Sequence, residues 1–415
     1  MATSLGGSNM EAEHLSTVPE LPRTPTQADP EAEHPAASHQ NERRRDIQGL
    51  RALAVVLVIA DHAGLPGFNG GFVGVDVFFV ISGYVITQLL MRESRKGFRR
   101  GLVDFYSRRI RRIVPAATAT LVVTMVAAEL LLGARMNPLL PGDVRWASLF
   151  AANFRLIGTG SNYFVPGMHP SLVTHFWSLA IEEQFYFVWP VVVFSIARLV
   201  EPRHLRRALA ATLIVGVVAS AWWSIHLSAG DPVAAYYSPF TRFWELGLGC
   251  LLAIAASGRP IRFVWLERLA AGLGVALLVV ALTTLNSASV YPGWRAWLPC
   301  VATAALIWAG VGGGRTVASW LLSTRPLGYV GDISFSLYLF HFPFLELAKE
   351  APSWLSNVDW RLLAIGSTVV CAICSYHRLE NPIRRSRKLD ADRVTVALLL
   401  AVCVAASWTA TIVVG

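Results

Sequence analysis

Long apolar stretches, separated by short loops rich in arginine, constrain this chain more than any other feature of its sequence. One such stretch runs from Val75 to Ile86, and the loop over 92–112 that follows holds nine basic residues. Because lipid offers no hydrogen-bond partners, a chain that crosses a bilayer in such stretches forms helices that satisfy their own backbone. With 54% hydrophobic and 15% charged residues over 415 positions, the composition indicates a polytopic membrane protein and excludes a soluble enzyme.

The basic loops predict the orientation of the chain, because cytoplasmic loops of membrane proteins are enriched in lysine and arginine. Arg43, Arg44 and Arg45 precede the first apolar stretch, so the N-terminus is predicted to be cytoplasmic. The net charge of +9 is therefore interpreted as a topology signal and not as nucleic-acid binding.

The predicted fold is an all-α transmembrane helix bundle of about ten core spans. An eleventh, C-terminal span over about 393–413 places the C-terminus outside the cytoplasm. A segment near 144–158 is too short and too polar to cross a hydrocarbon core of about 30 Å, and it is predicted to be re-entrant or interfacial.

Three parts of the chain are distinguished by their composition. Residues 1–46 are polar and nearly free of large apolar side chains, and they are predicted to form a disordered cytoplasmic tail. Residues 47–388 hold the core spans, and residues 389–415 hold the additional transmembrane helix. The five cysteines lie in or beside apolar segments, so neither a disulfide framework nor a metal site is predicted.

The first apolar stretch carries Arg51 at one end and the pair Asp61 and His62 at the other. On a helix, Arg51 and His62 are separated by about 1,100° of rotation and a rise of about 16 Å, so both side chains lie on nearly the same face. Polar groups on one face of an apolar helix are typical of a lined cavity or a site. The alternative is that Arg51 extends to a lipid headgroup and His62 caps the opposite helix end.

A later span begins near His175 and carries two adjacent carboxylates, Glu182 and Glu183, about two turns into the helix. Neighbouring residues point about 100° apart, so only one of these acids faces a given cavity. Glu182 shares its face with His175 and Ser178. The alternative role for either acid is a structural ion pair that holds two helices together.

Four arginines lie where the cytoplasmic loop enters the third span: Arg108, Arg109, Arg111 and Arg112. Helical spacing places Arg108 with Arg111, or Arg109 with Arg112, on one face. Guanidinium groups bind phosphate oxygens in a bidentate manner, so either pair is a candidate grip for a phosphate-bearing donor. The alternative is a topology signal that also binds anionic lipid headgroups.

A polar set lies in the span near 329–348, where Ser334, Ser336, Tyr338 and His341 share one helix. Its alternative interpretation is ordinary hydrogen bonding between helices. Taken together, the arginine–histidine face, the buried acid and the arginine cluster indicate general-base acyl transfer from an anionic donor. A histidine with an ordinary pKa of about 6.5 is a suitable base for a hydroxyl nucleophile.

Six ordered motifs within residues 43–388 resemble those of the membrane-bound acyltransferase-3 family, whose members O-acylate bacterial surface polysaccharides. They are Arg51 with His62 after ten intervening residues, Phe78–Tyr84, Phe105–Pro115, Phe176–Tyr186, Ile333–His341 and Leu379–Pro382. Members with an eleventh span often continue into an extracytoplasmic SGNH-type domain, whereas the printed sequence stops at Gly415. The resemblance identifies residues 47–388 as an acyltransferase-3-like domain.

The resemblance implies a membrane O-acyltransferase. Such an enzyme moves an acyl group, usually acetyl, from cytoplasmic acetyl-CoA or another acyl-CoA to a hydroxyl of an extracytoplasmic glycan or glycolipid. His62 would be the catalytic base or transient acyl acceptor, with Arg51, Glu182 and Asp61 in the same catalytic set. The implied donor-binding residues are Arg108, Arg109, Arg111, Arg112, Ser82, Tyr338 and His341. The expected partners are the acyl-CoA donor, the glycan acceptor and membrane lipids, and the expected location is the plasma membrane.

Another class of protein fits some of the same features. A secondary transporter or flippase for an anionic lipid-linked sugar would use Arg51, Glu182 and His62 as pathway residues and proton relay. Transporters of this kind usually contain internal repeats, and none is found in this sequence. A non-catalytic membrane scaffold is also disfavoured, because it does not need so many ionisable groups inside spans.

Overall fold

Helices account for all regular secondary structure in the described part of the chain. The computed structural model describes residues 44–160, 171–257, 263–313, 316–349, 359–386, 389 and 393–414. The predicted tail therefore lies outside the described residues up to position 43. Over the described ranges no β-strand occurs, as expected where each backbone must satisfy its hydrogen bonds within its own segment.

Among the described residues up to position 237, the structure contains eight α-helices. Their bounds are α1 Arg45–His62, α2 Gly74–Glu93, α3 Phe98–Leu132, α4 Leu140–Ser148, α5 Ala152–Thr159, α6 Phe176–Leu199, α7 Leu205–Gly230 and α8 Pro232–Tyr237. The second half contains α9 Pro239–Ala256, α10 Val264–Thr284, α11 Trp297–Ala309, α12 Val317–Leu322, α13 Arg325–Lys349, α14 Trp360–Ser375, α15 Asn381–Arg385 and α16 Arg393–Val413. A π-helical turn, Tyr376–Glu380, joins α14 to α15.

Within the described ranges, seven helical segments are long and apolar enough to cross a membrane, which supports a multi-pass membrane protein. They comprise α2, α3, α6, α7, α10, α14 with its continuation through α15, and α16. Helix α11 is apolar but shorter. Helices α1, α9 and α13 contain 18, 18 and 25 residues and carry more polar groups within their length. These less apolar helices supply several of the candidate functional side chains described below.

The segment near 144–158 forms two short helices, α4 and α5, and not one continuous helix. The chain changes direction between them at Phe150, whose φ of 51° is unusual for a residue with a side chain. An ion pair between Arg155 and Asp143, at 3.0 Å, joins the two helices. Asn153 of α5 and Gln184 of α6 exchange amide hydrogen bonds at 2.9 and 3.4 Å. This segment is therefore held against the bundle by polar contacts.

The last helix, α16, packs along α3 and α4. Arg145 donates from Nε to the Thr411 hydroxyl at 2.9 Å and lies over the Trp408 ring, while the Trp408 indole donates to Ser148 at 3.1 Å. These contacts attach the predicted eleventh helix to the bundle through side chains of α4.

Close helix packing positions the candidate site. A Cβ added at Gly331 of α13 would overlap the backbone of Gln48 in α1, and one at Gly83 of α2 would overlap the backbone of Leu246 in α9. Small residues at such crossings allow backbones to approach closely, which is a common device of membrane helices. The crossing at Gly331 brings α13 alongside α1, so that polar residues from helices far apart in sequence lie next to each other.

Candidate active site

Three histidines from three parts of the chain meet at one end of the bundle, and we call them the histidine cluster: His62, His175 and His341. Nδ1 of His62 lies 2.9 Å from Nε2 of His341, and the two rings stack with centroids 5.1 Å apart. His175, just before α6, lies edge-on to His341 at 5.5 Å between centroids. His175 and His341 are fully buried, whereas His62 is half-buried.

Hydrogen bonding assigns the tautomers of His341 and His62. Nδ1 of His341 lies 2.6 Å from the backbone carbonyl of Tyr338, which only accepts, so this nitrogen carries the proton. In a neutral ring, Nε2 of His341 is then an acceptor and receives a hydrogen bond from the Nδ1–H of His62. The unprotonated nitrogen of His62 is therefore Nε2, the atom that a general base presents to a hydroxyl.

A second layer of hydrogen bonds lies one turn further along α6 and α13. The Ser178 and Tyr338 hydroxyl oxygens are 2.6 Å apart, and the Tyr338 hydroxyl donates to the backbone carbonyl of His175 at 3.0 Å. Both hydroxyls are buried. This layer joins α6 to α13 and fixes the backbone that carries His175.

A third layer follows one further turn along α6. Tyr186 donates to the Glu182 carboxylate at 3.0 Å, and Ser82 of α2 lies beside both residues. We call Ser178, Tyr338, Glu182, Ser82 and Tyr186 the polar path, because they form consecutive layers that lead away from the histidine cluster.

The polar path ends at three arginines, the arginine group, which comprises Arg51, Arg109 and Arg112. The Arg109 guanidinium lies 4.4 Å from the centroid of the Tyr186 ring. Arg51 is within electrostatic range of Glu182, and Arg112 is within range of both Arg51 and Arg109. All three side chains are half-buried. Among the described residues, no carboxylate oxygen lies within 4.0 Å of their nitrogens, although the buried Glu380 is within electrostatic range of Arg51 and Arg112.

The other two arginines of the predicted cluster point elsewhere. Arg108 pairs with Glu93 at 2.5 Å, and Arg111 is buried and donates to the Ser386 backbone carbonyl at 3.2 Å. The structure thus separates the two pairs that helical spacing leaves equivalent: Arg109 and Arg112 adjoin the polar path, whereas Arg108 and Arg111 form ordinary structural contacts.

Several other residues lie where the sequence does not indicate. His341, in the implied donor-binding set, contacts His62 directly and so belongs to the histidine cluster. Asp61 lies against the backbone of Gly71, on another side of α1 from that cluster. His175 has no assigned role in the sequence interpretation. Its spacing of seven residues from Glu182 places both on one face of α6, and this shared face is the signal in the sequence that points to it.

A second charged centre lies apart from the polar path and was not predicted. Nη1 of Arg242 in α9 contacts Asp76 at 3.0 Å and Glu245 at 2.7 Å, and Nε donates to the Tyr236 carbonyl at 3.1 Å. None of the three charged side chains is more than 2% exposed. The aromatic rings of Tyr236, Trp177 and Tyr291 lie within 5.4 Å of the guanidinium.

Comparison with known proteins places this site in a family context. A family model described as an acyltransferase domain matches residues 44–377. YrhL of Bacillus subtilis is 33% identical over 83% of this chain and 56% of its own length. The peptidoglycan O-acetyltransferase OatA of Listeria monocytogenes is 32% identical over 82% of the chain and 56% of its own length. The O-acetyltransferase OatA of Staphylococcus aureus is 29% identical over 82% and 57%, respectively.

The chain thus spans little more than half the length of these curated relatives. No solved structure matches it. The family match extends from the residue before α1 to the π-helical turn after α14, and so includes the histidine cluster, the polar path and the arginine group. Five of the six sequence motifs lie within this match, and Leu379–Pro382 follows its end. The resemblance is therefore confirmed, and the chain belongs to the acyltransferase-3 family of membrane acyltransferases.

Proposed function

We propose that this protein is a membrane O-acetyltransferase that moves an acetyl group from cytoplasmic acetyl-CoA to a hydroxyl of an extracytoplasmic cell-wall glycan. The observation that carries the proposal is the hydrogen bond from His62 to His341, which leaves Nε2 of His62 as the basic nitrogen. The names of the two OatA relatives support acetyl as the acyl group, and the Listeria name supports peptidoglycan as the acceptor.

The proposed mechanism uses the polar path along its length. The arginine group binds the phosphates of coenzyme A, and the thioester arm extends along Ser82, Glu182, Ser178 and Tyr338 toward the histidine cluster. Arg51 and His62 are about 16 Å apart along α1, a separation that an extended donor arm must bridge. His62 removes the proton from the acceptor hydroxyl, whose oxygen attacks the thioester carbonyl. The C–S bond then breaks, and the proton held by His62 passes to the leaving sulfur, so that coenzyme A departs as the thiol and His62 is neutral again. In a variant of this route, Nε2 of His62 carries the acetyl group transiently.

The proposed topology has the N-terminus in the cytoplasm and the C-terminus outside. Ten core spans, α1, α2, α3, α6, α7, α9, α10, α11, α13 and α14, are followed by α16 as the eleventh, while α4 and α5 form the re-entrant segment. In this arrangement residues 47–388 are the catalytic domain and residues 389–415 hold an additional helix. The arginine group then faces the cytoplasm, where acyl-CoA is available, and the histidine cluster faces the acceptor.

The test is transfer of labelled acetyl from acetyl-CoA to a cell-wall glycan by purified protein in lipid nanodiscs. His62→Ala is expected to lower kcat by about 10²–10⁴-fold, the usual contribution of a positioned general base. The matched control is His226→Ala, which removes an exposed histidine that stacks on Trp222 and lies outside the site. Equal activity of wild-type and His62→Ala protein would contradict the mechanism.

His341 has a distinct, positioning role in this proposal. His341→Ala removes the acceptor for the Nδ1–H of His62, so kcat is expected to fall while the KM for acetyl-CoA is unchanged. His341→Gln keeps an amide oxygen near the position of Nε2 and is expected to restore part of the lost activity. Vesicles that take up a lipid-linked sugar in the absence of any acyl-CoA would instead favour the transporter alternative.

A further inference from the structure

His175 is held rigidly at the start of α6. Its Nε2 lies 2.9 Å from the Leu339 carbonyl and therefore carries a proton, because the carbonyl only accepts. Its own backbone carbonyl accepts a hydrogen bond from the Tyr338 hydroxyl at 3.0 Å. Two hydrogen bonds to α13, one from the ring and one from the backbone, thus fix the orientation of the imidazole.

This orientation leaves Nδ1 of His175 as a buried acceptor without a hydrogen-bond partner among the described residues. The side chain is fully buried, and Phe176 and Phe342 lie against its ring at centroid distances of 4.9 and 5.2 Å. A buried polar atom without a partner is unfavourable, and in native proteins such atoms are uncommon enough to require an explanation.

The location of this nitrogen suggests the explanation. The His175 ring lies 5.5 Å from that of His341, which accepts the hydrogen bond from His62. His175 is also within electrostatic range of His62. A substrate bound at Nε2 of His62 therefore lies in a cluster that also contains Nδ1 of His175. This second ring nitrogen can only accept a hydrogen bond.

We infer that Nδ1 of His175 is a substrate-binding atom, which accepts a hydrogen bond from an N–H or O–H group of the molecule bound against His62. The inference rests on the proposed function, because it requires a substrate at the histidine cluster. Two sources present this chemistry: the acetyl-group donor, through the amide N–H nearest its thioester, and the acceptor glycan, through a hydroxyl or acetamido N–H beside the reacting hydroxyl. The acceptor hydroxyl that reacts gives its own proton to His62, so His175 contacts a different polar hydrogen.

Two amide substitutions separate this role from a structural one. The side-chain amide of asparagine lies near the position of a histidine Nδ1, and that of glutamine near Nε2. His175→Asn therefore keeps an acceptor close to the substrate and removes the donor to Leu339. His175→Gln keeps the hydrogen bond to Leu339 and removes the acceptor.

For His175→Gln, kcat/KM is expected to fall about tenfold or more, because one hydrogen bond in a buried site is lost. Its unfolding temperature is expected to equal that of the wild type. His175→Asn is expected to unfold at a lower temperature and yet to be more active than His175→Gln. The reverse order of activities, or full activity of His175→Gln, would show that only the contact with Leu339 matters and would overturn the inference. His226→Gln is the matched control for the substitution itself.

The KM values of His175→Gln identify the source of the hydrogen. A rise in the KM for the glycan alone assigns the contact to the acceptor, and a rise in the KM for acetyl-CoA alone assigns it to the donor. A fall in kcat of equal size in both variants, with neither KM changed, would contradict a binding role. Failure of the wild-type protein to transfer acetyl would refute the proposed function itself, whereas wild-type transfer with an unaffected His175→Gln refutes only this inference.

Discussion

The two arginine centres of this bundle have opposite surroundings. Arg242 is 1% exposed and contacts two carboxylates, Asp76 and Glu245, within 3.0 Å. The arginine group at the other centre comprises three half-buried side chains, and within the described ranges no carboxylate approaches their nitrogens to 4.0 Å. At the first centre the carboxylates contact the guanidinium directly, whereas at the second Glu182 and Glu380 lie only within longer electrostatic range.

Contact with a carboxylate distinguishes a structural arginine from a functional one more clearly than residue type does. A charge buried away from water is tolerated when it is paired and hydrogen-bonded, as Arg242 is with its carboxylates and the Tyr236 carbonyl. Neighbouring cations that no carboxylate contacts directly repel one another, and an incoming phosphate would relieve that repulsion. We therefore propose a structural role for Arg242 and donor binding for the arginine group, and four measurements test this division.

The largest effect is expected at the closed centre. Arg242→Met leaves Asp76 and Glu245 buried without their cation, so the free energy of unfolding is expected to fall by about 3–5 kcal/mol. The double variant Asp76→Asn with Glu245→Gln leaves Arg242 without a counter-charge. Its free energy of unfolding is expected to fall by a similar amount. Thermal unfolding in detergent measures the stability of both variants. If Arg242→Met were as stable as the wild type, Arg242 would have no structural role.

A smaller effect, on binding and not on stability, is expected at the open centre. Arg109→Gln or Arg112→Gln removes a charge-assisted contact with phosphate, which is worth about 1.5–3 kcal/mol. The KM for acetyl-CoA is expected to rise by about ten- to a hundredfold with the unfolding temperature unchanged. If these variants unfolded early and retained the wild-type KM, the arginine group would be structural like Arg242.

Single amide substitutions sharpen the description of the closed centre. One guanidinium balances one carboxylate, so Glu245→Gln or Asp76→Asn alone leaves a balanced pair in contact with Arg242. Each is expected to change the free energy of unfolding by about 1 kcal/mol or less, within the range of one neutral hydrogen bond. Additive effects in the double variant, measured by the same unfolding assay, would argue against charge balance as the source of stability.

The smallest effect is expected at Arg108, which serves as the control for the open centre. This residue pairs with Glu93, and its side chain is 37% exposed. Exposed ion pairs contribute less than about 1 kcal/mol, so Arg108→Gln is expected to retain the wild-type stability and KM for acetyl-CoA. A KM rise as large as that of Arg112→Gln would show that donor binding depends on total positive charge and not on which arginines adjoin the polar path.

Local patterns in the sequence predict much of this architecture. Runs of apolar residues determine where helices form, because the length of a hydrophobic run and its helical period are properties of neighbouring residues. The last helix was predicted over about 393–413, and the structure has Arg393–Val413. Arg51 and His62 were placed on one face of one helix by the same local geometry, and the structure has both in α1.

The site depends on contacts that no local pattern contains. His62 and His341 are separated by 279 positions, and Arg242 and Asp76 by 166. Such pairs form only where helices cross, and the crossings depend on small residues such as Gly83 and Gly331 and on the packing of the whole bundle.

What the sequence by itself determined is therefore the membrane class, the positions of the helices and the family, because each follows from local composition or from ordered motifs. Only the tertiary structure decided which arginine pair adjoins the polar path, that His341 lies within hydrogen-bond distance of His62, and that Arg242 contacts two carboxylates. The physical reason is that helical period fixes which residues share a face of one helix, whereas the surroundings of that face are supplied by other helices.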